Sequence, residues 1–520
     1  MTYAIIDYTF KSWPHPRCFE IGRSFWIMGE VVVPIEDNSK HVLPLYLPPR
    51  PVPFQIITIK DTSGAAAGVS PPPQGVVNLS DLESWLPLTE SRNGSTFSSI
   101  LHLLCSGIGF QVLFLPVAFA SLGWAWGIIC LSIAYMWQLY TTWLLVNLHE
   151  PVPGIRCSRF VRMSILAFGP KLGKLLAIFP VMYLSGGSCV MLIITAGSSM
   201  EQLFNIICEE GTMCRSMSLS GTQWFLIFTC IALIIAQLFP NLNSIARVSL
   251  TGAITSIGYC TMIWVLSISK GRPNNVSYGI TVADRTGMTG FGNVLNAIGI
   301  IMLAFRGHNL ILEIQGTLPS DSKHPSRKSM WRGVMVSYMI IAMCLFPLAI
   351  VGFWAYGNKI PEEGILTAFT KFHGQDTSKY VIGLIYIWLT ISCITSYQIY
   401  AMPSFDNLEF IYASSKKRRC PGWVRAGIRL FFGGVTFFIA VAFPFLGKLA
   451  PLIGGMAAVP LTFVYPCFMW ISIRKPRPKG AMWSLNLGVG SIGIILSLLL
   501  IVAAVWKLDD KGLNANFFRP

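Results

Sequence analysis

Arg306, His308, Asn309 and Glu313 stand inside one apolar stretch. Residues 290–319 read GFGNVLNAIGIIMLAFRGHNLILEIQGTLP, long and apolar enough to cross a bilayer. Ionisable groups at that depth are costly and tend to face a solute or ion path. Histidine titrates near neutral pH, and a carboxyl taken out of water moves toward that range. His308 and Glu313 are therefore the proton-coupling candidates. Five residues apart, they lie about 140° from each other on a continuous helix, so they can meet only if the helix is broken between them. Otherwise His308 caps freed backbone and Glu313 pairs with a neighbouring span. Arg306 keeps its charge and needs an anion or water. It shares a helical face with Asn309 and Glu313, which makes an internal Arg306–Glu313 pair one option. Contact with the solute, biasing selection toward acidic or neutral side chains, is the other. Gly307 beside these groups marks the place where the helix is expected to unwind.

The elements that hold these residues follow from hydropathy. Of 520 residues 53% are hydrophobic and 12% charged, with a net charge of +16. A soluble chain carries about twice that charged fraction, so the expectation is an all-α membrane protein embedded in a lipid bilayer. Eleven spans are read at about 98–119, 124–146, 172–200, 222–239, 244–268, 290–319, 333–354, 379–403, 426–445, 449–472 and 483–506. The eighth has room to continue as a helix toward Tyr412. The loops after spans two, six, eight and ten are basic, Lys416, Lys417, Arg418 and Arg419 being one such cluster. Cytoplasmic loops carry this excess, which places the N-terminus in the cytoplasm and the C-terminus outside. It also accounts for the net charge without a nucleic-acid partner. Residues 1–97, with their Pro-rich runs, read as a mostly disordered cytoplasmic tail without a cleavable leader. Residues 98–506 form the transmembrane domain and 507–520 a short non-cytoplasmic tail. Asn275, in Asn275-Val276-Ser277, is the glycosylation candidate on the outer side. Cys208 and Cys214 share one outer loop, where an oxidising environment permits a disulfide. No Walker loop, HExxH, GxSxG or CxxC occurs, so an enzyme, a metal site and a cofactor are not expected.

Residues 98–268 and 290–472 form two five-span blocks, and the first span of each is interrupted near its middle, at Ser106–Gly109 and at Arg306–Asn309. Because five is odd, the blocks have opposite orientations, a 5+5 inverted repeat. Matched interruptions of this kind point to a binding site at the repeat interface. The runs Trp85–Arg92, Gly107–Gln111, Leu115–Phe119, Leu122–Trp124, Phe305–Leu310 and Leu312–Ser320 resemble plant amino-acid permeases. Over roughly residues 80–520 the chain is most similar to the lysine/histidine transporter-like branch of the amino acid/auxin permease family. The resemblance implies eleven spans with helices 1 and 6 broken, the fold of the amino acid–polyamine–organocation superfamily, and proton-coupled amino-acid uptake at the plasma membrane.

An amino acid carries a carboxylate and an ammonium, and both must be satisfied away from bulk water. Amides that begin a helix favour an anion, so Ser106, Gly107, Ile108 and Gly109 are expected to hold the carboxylate. Glycine there lets the backbone reach the ligand. Carbonyls freed around Leu303, Ala304 and Phe305 are expected to take the ammonium, with Phe305 as an aromatic lid. Ser185 to Ser188 in span three and Ser392 to Ser396 in span eight supply small polar walls. The competing explanation is that the glycines only let helices pack closely. With no ATP-binding motif, the energy for transport has to come from an ion gradient, and protons and an amino acid are the expected small-molecule partners. Two rival functions remain open: a carrier of another small organic acid such as auxin, and a nutrient sensor on a transporter fold.

Overall fold

A computed structural model of the chain describes residues 83–151, 156–208, 219–279, 288–321, 323–445, 454–510 and 518. All regular structure among them is helical. Among the described residues, ten helices are long and apolar enough to cross a membrane. An eleventh apolar helix, α1 (Thr96–Gly107), is shorter. It is followed by a 3-10 turn at Phe110–Phe114 and by α2 (Leu115–Leu148). Gly123 interrupts α2 at φ 76°, ψ 178°, a conformation glycine adopts without a Cβ penalty. The expected boundary between spans one and two falls at this kink.

Most of the remaining helices follow the hydropathy. In order, the remaining helices are α3 (Phe160–Phe168), α4 (Pro170–Cys208), α5 (Gly221–Leu238), α6 (Ala246–Lys270), α7 (Met288–Ala304), α8 (Ile311–Gly316), α9 (Ser326–Tyr356), α10 (Ile365–His373), α11 (Lys379–Lys416) and α12 (Gly422–Ala442). Residues 454–464 coil in two π-helical turns that lead into α13 (Tyr465–Arg474), and α14 (Ala481–Asp510) completes the set. Two short helices, α3 and α10, lie in segments expected to be loops. The eighth span does run on past Pro403, to Lys416.

Burial separates the helices into an inner and an outer set. In the most apolar window of Gly290–Gly316, 89% of residues are buried, against 28% in Gly221–Leu238 and in Gly422–Ala442. Outward faces carry apolar side chains such as Met136, Leu175, Met343, Phe431 and Val502, as a lipid-facing surface requires. The interrupted helix is thus held in the centre of the bundle.

The bundle has two distinct ends. At one, Glu83 pairs with Arg92 (2.5 Å) and Arg162, while Glu90 pairs with Arg419 and lies 3.9 Å from Arg425. Residues 83–95, inside the expected N-terminal tail, pack here: Leu86 and Leu88 are buried, and Gly94 N donates to Thr317 O at 3.0 Å. At the other end, the Asn275 loop meets the residues after α9, with Asn358 N donating to Ser277 O at 2.9 Å. Helix α6 joins the two ends. Asn243 just before it donates to Ser91 Oγ, and Lys270 at its far end donates to Asp376 O. Its 25 residues span about 37 Å. Asn275 is exposed at the end opposite Lys416–Arg419. Cys208 is disulfide-bonded; Cys214 lies outside the described residues.

Candidate functional site

Helix α1 stops at Gly107. Ile108 (φ −100°, ψ 98°) and Gly109 (φ −118°, ψ 175°) are extended, and the chain re-enters a 3-10 turn at Phe110. Helix α7 stops at Ala304, residues 305–307 are non-helical, and Gly307 takes φ 90° before the turn His308–Leu310 and α8. That left-handed value explains the glycine: another residue would be strained, and a Cβ there would stand 2.9 Å from Ser106 Oγ. The two breaks therefore touch. Both fall where the apolar sequence is interrupted, and each leaves backbone groups without intrahelical partners.

Arg306 bridges the breaks. Its Nε donates to Ser106 O at 3.1 Å and its Nη1 to Gln111 Oε1 at 2.7 Å. The guanidinium carbon lies 4.4 Å from the Tyr400 ring centroid, a cation–π distance. Tyr400 Oη donates to the same Ser106 carbonyl at 2.8 Å. Arg306 Nη2 is buried without a partner. The internal Arg306–Glu313 pair does not form. A cavity of about 10 Å³ beside the guanidinium is lined by Ser106, Gly107, Gln138, Phe305, Arg306 and Tyr338 among others, room for about one water.

Other expected site residues divide. Ile108, Gly109, Leu303 and Ala304 sit at the breaks and are buried but do not line the cavity. Gly109 instead supports Arg306: a Cβ on it would stand 2.5 Å from the guanidinium carbon. Phe305 does line the cavity, and its ring lies 6.2 Å from that of Tyr135. The serines expected as polar walls in spans three and eight are not among the cavity's lining residues, and three of them tie helices together. Ser392 Oγ lies 2.7 Å from Ser256 Oγ, Ser396 Oγ donates to Cys105 O at 3.0 Å, and Ser185 Oγ donates to Tyr400 O. Ser188 is buried on α4. Ser396 thus steadies α1 two residues before it ends.

His308 and Glu313 stay apart, because the break precedes both of them. His308 Nδ1 is 3.2 Å from Thr142 Oγ1, which is 2.7 Å from the Tyr338 hydroxyl on the cavity wall. Glu313 Oε1 accepts from Phe160 N at 3.3 Å, and its Oε2 is buried without a partner. Glu313 lines a second cavity with Arg159, Phe160 and Asp406. There Arg159 grips Asp406 through Nε (2.6 Å) and Nη2 (3.3 Å), and Leu88 N donates to Asp406 Oδ1 at 3.2 Å. Sequence reasoning missed Asp406 and assigned Arg159 to a basic loop. The available signal was a carboxylate three residues beyond Pro403, on a helix with room to continue.

Comparison with known proteins agrees with this architecture. The family described as "Transmembrane amino acid transporter protein" matches residues 92–508. Lysine histidine transporter-like 7 of Arabidopsis thaliana is 50% identical over 488 residues, covering 94% of this chain and 98% of that protein. Lysine histidine transporter-like 8 of the same plant is 49% identical over 445 residues, covering 86% and 85%. Among solved structures, MhsT in complex with L-phenylalanine superposes with a TM-score of 0.51 at 13% identity, covering 80% of this chain and 99% of MhsT. Mhp1, a nucleobase-cation-symport-1 family transporter, gives 0.50 at 14% identity, covering 83% and 97%. Those two likenesses show the fold. With two broken helices crossing at its centre and half its residues shared with a named transporter over nearly the full length, the chain belongs to the transmembrane amino acid transporter family, in its lysine/histidine transporter-like branch.

Proposed function

We propose that this chain imports amino acids across the plasma membrane together with protons, by alternating access. The observation that carries the reading is the meeting of two broken helices at a buried, charged cavity. A cavity of about 10 Å³ admits no amino acid, so a solute can enter only if helices move. Alternating access supplies that motion, with one repeat rocking against the other around a fixed site. Eleven spans follow if Thr96–Leu122 is taken as one span bent at Ile108 and Gly109. The N-terminus then lies in the cytoplasm and the C-terminus outside, because the end bearing Arg162 and Lys416–Arg419 is the basic one. A Cys208–Cys214 bridge and glycosylation at Asn275 fit the outer side. Residues 98–506 are the transport domain, flanked by the two tails.

Glu313 is the principal proton carrier in this reading. It is buried beside the Arg159–Asp406 pair, at the end taken as cytoplasmic, and one of its oxygens is free. His308, linked through Thr142 to Tyr338 on the solute cavity, is the second. Uptake of radiolabelled amino acids into cells expressing the protein, with and without a proton gradient, tests the proposal. Accumulation that collapses with the gradient supports coupling. Equal uptake without it removes coupling, and binding without flux turns the reading toward a sensor. One feature favours the organic-acid alternative: Arg306 in the solute cavity has no carboxylate beside it.

A further inference from the structure

Arg306 brings a fixed positive charge to the solute cavity, and the wall supplies no negative charge to balance it. None of the residues lining the cavity has an acidic side chain. Glu313 faces a different cavity, where Arg159 and Asp406 already pair. Among the described residues, no carboxylate forms an ion pair with Arg306, and its Nη2 is buried with no acceptor. A buried cation that lacks a counter-ion is costly, so an anion entering this cavity gains more than a neutral or cationic solute would.

The same geometry works against a solute of net positive charge. Ser106 O is a backbone acceptor left free where α1 breaks, and a carbonyl has two lone pairs. Both are engaged, by Arg306 Nε at 3.1 Å and by Tyr400 Oη at 2.8 Å. An arriving cationic side chain would find this acceptor taken and a like charge beside it. Resting on the reading of this cavity as the transport site, we propose that it selects solutes of net charge −1 whose carboxylate completes Arg306 at Nη2. Acidic amino acids and small carboxylates without an amine both meet that requirement. Lysine does not, which separates this expectation from the amino acids in the relatives' names.

The test uses the full-length protein, purified for thermal shift and reconstituted in proteoliposomes for counterflow. Glutamate, pyruvate, alanine and lysine are compared at equal ionic strength. Glutamate should raise the unfolding midpoint and exchange across the vesicle, and lysine should do neither. Stabilisation by glutamate alone identifies acidic amino acids as the source of the anion; stabilisation by pyruvate as well shows that a carboxylate without an amine suffices. Arg306→Gln keeps a donor near Ser106 O and removes the charge, so it should lower the glutamate-to-alanine affinity ratio about tenfold or more. The wild-type ratio alone decides the matter if that variant cannot be recovered folded. Lysine or alanine bound as tightly as the anions, or a ratio unchanged by Arg306→Gln, overturns the inference. Counterflow of lysine would keep the transport reading and remove this one. Anion binding without counterflow would do the reverse, and no binding of any of the four would remove both.

Discussion

Gly109→Ala is the most informative single change, because its effect can be worked from the geometry. A Cβ at Gly109 would stand 2.5 Å from the Arg306 guanidinium carbon, 2.7 Å from Nε and 2.6 Å from Gln111 Oε1, where ordinary contact begins at 3.4 Å. The guanidinium must retreat by about 0.9 Å to reach normal contact. Both of its acceptors, Ser106 O and Gln111 Oε1, belong to the same broken segment as Gly109, so retreat draws Arg306 away from them together. The 3.1 Å bond to Ser106 O then passes the limit of a useful hydrogen bond. A hydrogen bond to a charged group contributes about 1.5–3 kcal/mol, so losing one lowers solute affinity roughly ten- to hundredfold. Folding should suffer little, since the change falls at a break where the backbone is already extended and Gly109 has φ −118°. Uptake would be measured against surface level by biotinylation, for wild type, Gly109→Ala, Arg306→Gln and the double variant. The shorter, uncharged Gln removes the clash with the guanidinium, and Gln111, no longer held by Arg306 Nη1, can turn the flexible end of its side chain aside, so the double variant should transport like Arg306→Gln alone, a clear failure of additivity. Wild-type uptake by Gly109→Ala, or strictly additive losses, would refute the assignment of Gly109 as the seat of Arg306.

Two further expectations concern protons and topology. Glu313→Gln keeps the shape of the side chain and removes its charge change, so it should flatten the pH dependence of uptake, with His308→Ala doing so to a smaller degree; if both leave that dependence intact, neither residue carries the proton. A tag at the C-terminus should be accessible in intact cells and a tag at the N-terminus should not, while Asn275→Gln should remove any glycan-dependent mobility shift; two ends on one side would end the eleven-span reading.

Hydropathy is local, and the sequence therefore determined most of the architecture by itself. Long apolar runs must satisfy their backbone internally in a bilayer, and the helices fall where those runs are. The two breaks were legible for the same reason, since Gly107 to Gly109 and Arg306 to Asn309 are short polar or glycine-rich interruptions in otherwise apolar spans. Helices α3 and α10 were not legible, because each has only nine residues and crosses nothing. Partner choice was decided only by tertiary structure. Arg306 was free to pair with Glu313 seven residues on, yet it binds Ser106 O and Gln111 across about 200 residues and stacks on Tyr400. The break rotates Arg306 away from the face it would share with Glu313 on a continuous helix. Glu313 in turn meets Phe160 and the Arg159–Asp406 pair, and Ser392 and Ser396 turn to α6 and α1 rather than to the cavity. Sequence fixes which side chains are costly to bury; only the packing of distant helices fixes which of them are buried together.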